Sequence, residues 1–238
     1  MTAQSRHYRR CTAATSVHLV QSRAADLATR QAYDAVAADY AQMLPDMTLE
    51  APLDRAVVSA FVEMLNGQAH AVVAEVGCGS GRVTAHLADA GLPVIGLDLS
   101  PAMATVASLL RPDISYAAAH MGALPLRSGV LAGIVAWYSV INLPADALPQ
   151  VFSEFARVML PGAPVLLAFQ CGEGERVDRP SAYGHPVPMT YYRHALDEVA
   201  TAVVQAGFRL HSTLRREPEL QHETTPQAFL MAHRLLSK

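Results

Sequence analysis

The chain has 238 residues, of which 51% are apolar and 16% charged, and its formal net charge is −3. This length suffices for one α/β domain with a full core. The slightly acidic balance disfavours a nucleic-acid partner, which usually requires a basic face. No apolar run reaches the ~20 residues of a membrane helix and the N-terminus lacks a signal-peptide core, so we expect a cytoplasmic protein away from membranes. The cysteines, Cys11, Cys78 and Cys171, have unrelated spacings that indicate neither a disulfide framework nor a metal site.

The N-terminal stretch 1–28 is polar, basic and rich in alanine, without a clear helical period, so we expect a flexible tail. A basic arm for RNA is the weaker interpretation, because its arginines are few and dispersed. The stretch 29–44 predicts a helix that Thr29 caps. Tyr33 and Tyr40 fall on one face of that helix, where they either anchor the core or cover a ligand.

A strand–turn–helix pattern occupies 71–90, with Gly77, Gly79 and Gly81 in the turn. Glycine suits a sharp turn that a ligand approaches closely, and the helix start offers unpaired N–H groups. A second apolar run ends at Asp98, 98 − 77 = 21 residues after the first glycine. An acid at the end of the second strand of a βαβ unit can accept both ribose hydroxyls. The pattern therefore predicts a nucleoside site.

The glycine spacing indicates which nucleoside. A dinucleotide fingerprint is G-x-G-x-x-G, whereas here the pattern is G-x-G-x-G and Arg82 stands where the third glycine belongs. Glu75, two residues before the first glycine, would repel a pyrophosphate but attract an ammonium group. The acid, the glycines and the second acid, Asp98, together resemble the class I S-adenosylmethionine-dependent methyltransferases. A βαβ unit whose glycines only form a turn is the less specific alternative.

The rest of the chain alternates apolar runs with amphipathic stretches. Helices are predicted at 53–65, 101–110, 146–160 and 193–206, and strands at 114–118, 130–138, 164–169, 208–215 and 228–234. The stretch 172–190, rich in glycine, proline and charge, predicts a long functional or disordered loop. The resemblance implies an α/β Rossmann-like three-layer sandwich with a seven-stranded, mostly parallel sheet in the order 3-2-1-4-5-7-6, the last strand antiparallel. It also implies a single domain over 29–238, with a helical lid at 29–66.

The resemblance further implies S-adenosyl-L-methionine as cofactor, S-adenosyl-L-homocysteine as product, and in-line methyl transfer to an O, N or C nucleophile. The sequence Tyr-Asp-x-x-Ala-x-x-Tyr ahead of the glycines resembles the cofactor lid of small-molecule methyltransferases. In that family an acid ahead of the fourth strand often meets the adenine amino group, but His120 stands there, so backbone N–H groups near Met121 and Gly122 must serve. The expected cofactor contacts are Tyr33, Tyr40, Glu75, Gly77, Cys78, Gly79, Asp98, Leu99, Met103, Met121, Gly122, Ala136 and Trp137.

Acceptor-facing residues are expected at the carboxyl ends of the strands. After the fourth strand the candidates are Trp137, Tyr138, Ser139 and Asn142. In the long loop, His185 is the candidate general base and Tyr183 shares its rim, although a solvated loop histidine is the alternative. The Asn-Pro-Pro-Tyr signature of nucleic-acid amino methylation is absent, which favours a small-molecule acceptor. The sequence leaves a homodimer open.

Two other functions fit the same motif. A nucleotide-dependent oxidoreductase would keep the βαβ unit, but Arg82 at the third glycine position disfavours it. A non-catalytic S-adenosylmethionine-binding protein would keep Glu75, the glycines and Asp98 but lack a shaped acceptor pocket. Neither the acceptor nor the methylated atom can be inferred from the sequence.

Overall fold

The computed structural model describes residues 24–65 and 72–236. In sequence order its strands are β1 Val72–Val76, β2 Val94–Asp98, β3 Ser115–Ala118, β4 Leu131–Trp137, β5 Pro164–Gln170, β6 Glu175–Arg179, β7 Met189–Arg193, β8 Phe208–Arg216 and β9 Gln227–Arg234. A seven-stranded sheet has the order β3-β2-β1-β4-β5-β9-β8. β1 to β5 pair in parallel, and β9 is antiparallel to both β5 and β8. This arrangement confirms the expected α/β fold and strand order.

The hydrophobic runs of the sequence explain the centre of this sheet. Every residue of β4 is buried, as are all residues of β5 except the last. A parallel strand covered on both faces requires such a continuous apolar run. The edge strand β8 is exposed along most of its length, which fits its mixed polar sequence.

The helices lie on both faces of the sheet. Their bounds are 24–43 for α1, Pro52–Met64 for α2, Arg82–Asp89 for α3, Pro101–Leu110 for α4, Leu148–Val158 for α5 and Leu196–Gln205 for α6. Alternate residues of the strands pack into two separate cores, one with α2 and α3 and the other with α5 and α6. This alternation follows from the opposite directions of successive side chains in a strand. The predicted three-layer arrangement is therefore present.

The first helix begins earlier than expected. Helical structure covers 24–43, so the last five residues of the predicted tail, 24–28, are helical and Thr29 lies inside the helix rather than at its cap. The arginine-containing stretch 1–23 lies outside the described residues. Because Ala and Leu in this region are good helix formers, the helix can extend without a capping residue at the predicted start.

The predicted long loop contains a second, small sheet. β6 and β7 form a two-stranded antiparallel ribbon in which Glu175 pairs with Arg193 and Arg179 pairs with Met189. The expectation of a continuous loop over 172–190 is therefore wrong, and α6 begins at Leu196 because Arg193 still belongs to β7. Most residues of β6 are exposed on both faces, so no alternation of apolar and polar residues signalled the strand.

Within the described residues, no helix has the length and hydrophobicity needed to cross a bilayer.

Candidate active site

The turn between β1 and α3 depends on three glycines with left-handed backbones: φ is +76° at Gly77, +54° at Gly79 and +82° at Gly81. L side chains rarely adopt such angles. At Gly77 an added Cβ would lie 2.2 Å from the Cβ of Ser139, and at Gly79 it would lie 3.3 Å from the Tyr40 ring. Glycine is therefore required at these positions because of the left-handed backbone and because neighbouring protein atoms leave little room for a Cβ. This requirement holds apart from any ligand that approaches the turn.

Asp98, the last residue of β2, binds this turn directly. One carboxylate oxygen accepts the Gly79 N–H at 2.7 Å, and the other accepts the Ser100 N–H at 2.8 Å. Burial raises the pKa of the Asp98 carboxyl, and the two backbone N–H groups oppose that rise. An ionised carboxylate has about four lone-pair sites. Asp98 can therefore hold the turn and still accept two further hydroxyl groups.

A cavity lies where Asp98 and the glycine turn meet the carboxyl ends of β3 and β4. It contains about 710 Å³ of empty space, counting its open mouth. Its lining consists of Asp26, Thr29, Tyr33, Tyr40, Gly77, Gly79, Asp98, Leu99, Ala119, His120, Met121, Trp137, Tyr138, Ser139, Asn142 and Leu143. We call this space the first cavity. The carboxyl edge of an open α/β sheet is where such folds bind ligands.

The structure brings most of the proposed cofactor contacts together around the first cavity. Those on its lining are Tyr33, Tyr40, Gly77, Gly79, Asp98, Leu99, Met121 and Trp137. The side chains of Glu75, Cys78, Met103 and Ala136 are instead at most 4% exposed and do not line it. Met103 packs beneath α1. These four residues therefore support the walls of the site rather than contact its contents.

Glu75 was expected to attract an ammonium group, but it lies behind the turn. Its carboxylate accepts the Thr84 hydroxyl of α3, and burial raises its pKa to about 8. The nearby Arg82 opposes this rise. Because the first cavity does not include Glu75, any effect on an ammonium group acts through the turn, without direct contact.

The loop after β3 differs from the expectation. The Gly122 N–H, proposed as a donor to the adenine, donates to Nδ1 of His120 at 3.0 Å. Nε2 of His120 lies 3.3 Å from Oδ2 of Asp26, and this carboxylate raises the pKa of the imidazole. Asp26 comes from α1, in the stretch predicted to be a tail. The Gly122 N–H is therefore already used, and Met121 remains as an apolar wall.

The first helix is fastened across the mouth of the first cavity. Asp34 accepts the Ser100 hydroxyl at 2.6 Å and the Ala102 N–H at 3.2 Å, so it caps the start of α4. The Tyr33 hydroxyl donates to Oδ1 of Asn142 at 3.2 Å. These contacts place the tyrosine face of α1 over the site, which is the geometry that a lid requires.

The two candidate catalytic residues lie beside α1 and not on the lining of the first cavity. Nε2 of His185 is 2.6 Å from Oδ2 of Asp39 in α1. Tyr183 has φ of +52°, and its ring packs edge-on against that of Tyr40 with centroids 4.9 Å apart. For His185 this geometry favours holding the loop against α1 over proton transfer, and for Tyr183 it favours packing against α1.

An acid that the sequence analysis did not single out contacts Trp137, which lines the first cavity. Glu50 is 9% exposed, and it forms an ion pair with Arg82. It also accepts the Trp137 indole N–H at 3.3 Å. Glu50 precedes α2 at the end of a short 3₁₀ turn, and no motif marks it. Arg82, the first residue of α3, stands where a dinucleotide fingerprint has its third glycine. Its ion pair with Glu50 therefore occupies that position.

A second cavity adjoins the first and shares Asp26, Thr29, Tyr33, Asn142 and Leu143 with it. Its far wall is the β6–β7 ribbon, including Arg176 and Arg179, and its floor includes Pro144 and Ala147. It is larger, with about 1970 Å³ of empty space including open solvent.

No group of three or more His, Cys, Asp or Glu side chains within 24–65 and 72–236 is placed to hold a metal ion. The two cavities suit two organic molecules side by side.

Comparisons with known proteins find similarity to methyltransferases. A family model described as a methyltransferase domain matches residues 73–162. The chain is 34% identical over 98 residues to a demethylmenaquinone methyltransferase of Renibacterium salmoninarum, covering 40% of each chain. It is 30% identical over 131 residues to a malonyl-(acyl-carrier protein) O-methyltransferase of Pseudescherichia vulneris, covering 55% of this chain and 51% of that relative. The chain thus spans about half or less of the length of these relatives.

A solved structure shows the same fold. An S-adenosylmethionine-dependent methyltransferase from Methanosarcina mazei superposes with a TM-score of 0.63 at 16% identity, covering 70% of this chain and 93% of that one. The family-model match, residues 73–162, contains the glycine turn, Asp98 and the loop after β3. Residues 73–162 thus match a methyltransferase domain, and the chain shares its fold with a solved S-adenosylmethionine-dependent methyltransferase.

Proposed function

We propose that the protein transfers a methyl group from S-adenosylmethionine to a small-molecule acceptor. The proposal rests mainly on one observation: the glycine turn and Asp98 line the same cavity. The Gly79 N–H of that turn donates a hydrogen bond to the Asp98 carboxylate at 2.7 Å. A sugar hydroxyl pair and a polar tail can then be held side by side at the carboxyl edge of the sheet. The family-model match over 73–162 supports the proposal.

The residues present fit this cofactor. Asp98 retains acceptor capacity for the ribose hydroxyls after binding two backbone N–H groups. Leu99 and Met121 give apolar walls for a flat base on the side towards β3. Gly77 and Gly79 line the opposite side without side chains, which leaves room for the amino-acid tail. Each part of the cofactor thus has a wall of matching chemistry.

The chemistry requires little beyond positioning. The sulfonium supplies an activated methyl group, and its leaving group needs no protonation. Holding reactants in line supplies up to ~7–11 kcal/mol in model reactions. Here Tyr33, anchored on Asn142, and Tyr40 border the first cavity beneath α1, where they can orient the reactants and exclude water. A general base is needed only if the acceptor must lose a proton, so the position of His185 away from the cavity lining does not oppose the proposal.

We place the acceptor in the second cavity. It meets the first cavity at Tyr33 and Asn142, so an acceptor there would face the reactive end of the cofactor. Its walls mix apolar surface, such as Pro144 and Met189, with polar groups from the ribbon. The named acceptors of the two relatives, demethylmenaquinone and malonyl-(acyl-carrier protein), differ from each other. They support methyl transfer as the reaction and do not single out an acceptor.

The structure bears on both alternatives. A dinucleotide oxidoreductase needs open space at the third glycine position, but Arg82 there is 10% exposed and paired with Glu50. A non-catalytic binding protein needs no acceptor pocket, whereas the second cavity adjoins the first. Both observations favour the methyltransferase.

Calorimetry and a labelling assay test the proposal. The purified chain is titrated with S-adenosylhomocysteine and, separately, with NAD; we expect binding of the first only. It is then incubated with S-adenosylmethionine labelled in the methyl group and a pooled metabolite extract, and label in the small-molecule fraction is counted. NAD binding alone would support the oxidoreductase. S-Adenosylhomocysteine binding without transfer to any pooled acceptor would support the non-catalytic alternative.

The location of the acceptor is tested with one pair of variants. Ala147→Phe fills part of the second cavity, and Ala145→Phe is the control, because Ala145 is exposed nearby and lines neither cavity. We expect Ala147→Phe to abolish or strongly reduce label transfer while S-adenosylhomocysteine binds as in the wild type. Equal transfer by both variants would place the acceptor elsewhere.

A further inference from the structure

We propose that Asp26 recognises the exocyclic amino group of the adenine, and that His120 is the positioning residue that orients the Asp26 carboxylate. This inference rests on the proposed function, because it concerns the base end of the same cofactor. It assigns a specificity role to an α1 residue outside the segment matched by the family model, residues 73–162.

The strand order places the base. With the ribose on Asp98 at the end of β2, the neighbouring strands are β3 on one side and β1 on the other. The glycine turn after β1 receives the amino-acid tail, so the base extends towards the loop after β3. That part of the first cavity is lined by Leu99, Ala119, His120 and Met121, with Asp26 across from them on α1. Of these side chains, only those of His120 and Asp26 are polar.

The hydrogen bonds fix which atoms are available. The Gly122 N–H donates to Nδ1 of His120 at 3.0 Å, so Nδ1 carries no proton and the neutral ring carries its proton on Nε2. That Nε2 lies 3.3 Å from Oδ2 of Asp26 and points a donor at it. Within the described part of the chain, Oδ1 of Asp26 accepts no hydrogen bond, whereas Oδ2 faces the histidine. One carboxylate oxygen is thus held by the histidine, and the other is left to a ligand.

The charge state of the Asp26 carboxylate determines which group of the base it can bind. An ionised carboxylate only accepts hydrogen bonds. The adenine edge carries an amino donor, whereas hypoxanthine carries a carbonyl oxygen at the same place and would face the carboxylate with a second acceptor. The side chain of Asp26 is only 25% exposed, so water compensates incompletely for such a mismatch. The site is therefore built to prefer the amino base.

The test compares S-adenosylhomocysteine by calorimetry with S-inosylhomocysteine, which has a carbonyl oxygen in place of the amino group and a proton on the neighbouring ring nitrogen N1. We expect the wild type to bind the adenosyl compound about 10- to 100-fold more tightly, as for a hydrogen bond to a charged group. Asp26→Asn should reduce this ratio to about threefold or less, because an amide can present either a donor or an acceptor. His120→Phe should lower the ratio to an intermediate value, because the carboxylate remains but is no longer oriented.

The control is Asp39→Asn. Asp39 lies on the same helix and also pairs with a histidine, His185, but it lines neither cavity. It should therefore keep the wild-type ratio, and thermal unfolding of each variant without ligand checks that it is folded. Binding of S-adenosylhomocysteine with an unchanged ratio in Asp26→Asn would overturn this inference alone. Failure of the wild type to bind S-adenosylhomocysteine would overturn the proposed function and, with it, this inference.

Discussion

The substitution Asp98→Asn separates two roles of one carboxylate. In the wild type its oxygens accept the N–H groups of Gly79 and Ser100, at 2.7 and 2.8 Å. The asparagine side chain has the same shape as that of aspartate, but only one oxygen that can accept a hydrogen bond. One of the two backbone N–H groups therefore keeps a neutral acceptor, and the other faces the amide NH₂ group and has no acceptor. An unsatisfied buried donor costs about 1–3 kcal/mol, and loss of the charge adds nothing to this cost, because burial already raises the pKa of the carboxyl. The free energy of unfolding should therefore fall by about 1–3 kcal/mol.

The same change should weaken cofactor binding. A ribose hydroxyl that loses its charged acceptor costs about 1.5–3 kcal/mol, which is about 10- to 140-fold in the dissociation constant of S-adenosylhomocysteine. Stability is measured by urea unfolding without ligand, and affinity by calorimetry at a temperature where Asp98→Asn is folded. Asp113→Asn is the control, because Asp113 is ion-paired with Arg111 on the surface and lines neither cavity.

The two measurements have different consequences. A variant that loses stability but binds S-adenosylhomocysteine like the wild type would show that Asp98 only holds the backbone and that the ribose lies elsewhere. A variant that loses neither would refute the hydrogen-bond geometry on which both magnitudes depend.

Other predictions concern the turn, the buried acid and the lid. Gly77→Ala should destabilise the fold by more than the ~1–2 kcal/mol of a left-handed backbone, because its Cβ would lie 2.2 Å from that of Ser139. In urea unfolding, the double variant Gly77→Ala with Ser139→Gly should recover part of this loss. An equal loss in the single and double variants would contradict the clash. Because the pKa of Glu75 is about 8 against an ordinary 4.5, the folded state binds more protons than the unfolded state between these values, so wild-type stability should fall as pH rises through them. Glu75→Gln should lack this component, and parallel stability curves for variant and wild type between pH 5 and 8 would refute the shift. His185→Asn should lower stability by about 0.2–1 kcal/mol, as for an exposed ion pair, and should leave turnover nearly unchanged; a loss of about 10²–10⁴ in turnover with normal cofactor affinity would instead identify a general base. Hydrogen exchange over 24–43 should slow when S-adenosylhomocysteine is added, and an unchanged rate would show that α1 is not a lid.

The fold could be predicted because its signals are local. A buried strand, a glycine turn and an amphipathic helix each appear within a short window of sequence, and Asp98 is placed by its distance along the chain from Gly77. The β6–β7 ribbon was missed for the same reason. Most residues of β6 are exposed and most residues of β7 are half-buried, so neither a period of two nor a continuous apolar run marks the strands.

The sequence by itself determined the βαβ unit, the glycine turn and the acid beside it, because the spacing of these residues follows directly from strand and helix geometry. Only the tertiary structure decided which remote side chains meet: Asp26 with His120, Asp39 with His185, and Glu50 with Arg82. Such pairs depend on how α1 and the segment before α2 pack against the sheet edge. No local pattern encodes that packing, since a single acidic residue on a helix has the same sequence signal whether it faces solvent or a histidine more than a hundred residues away.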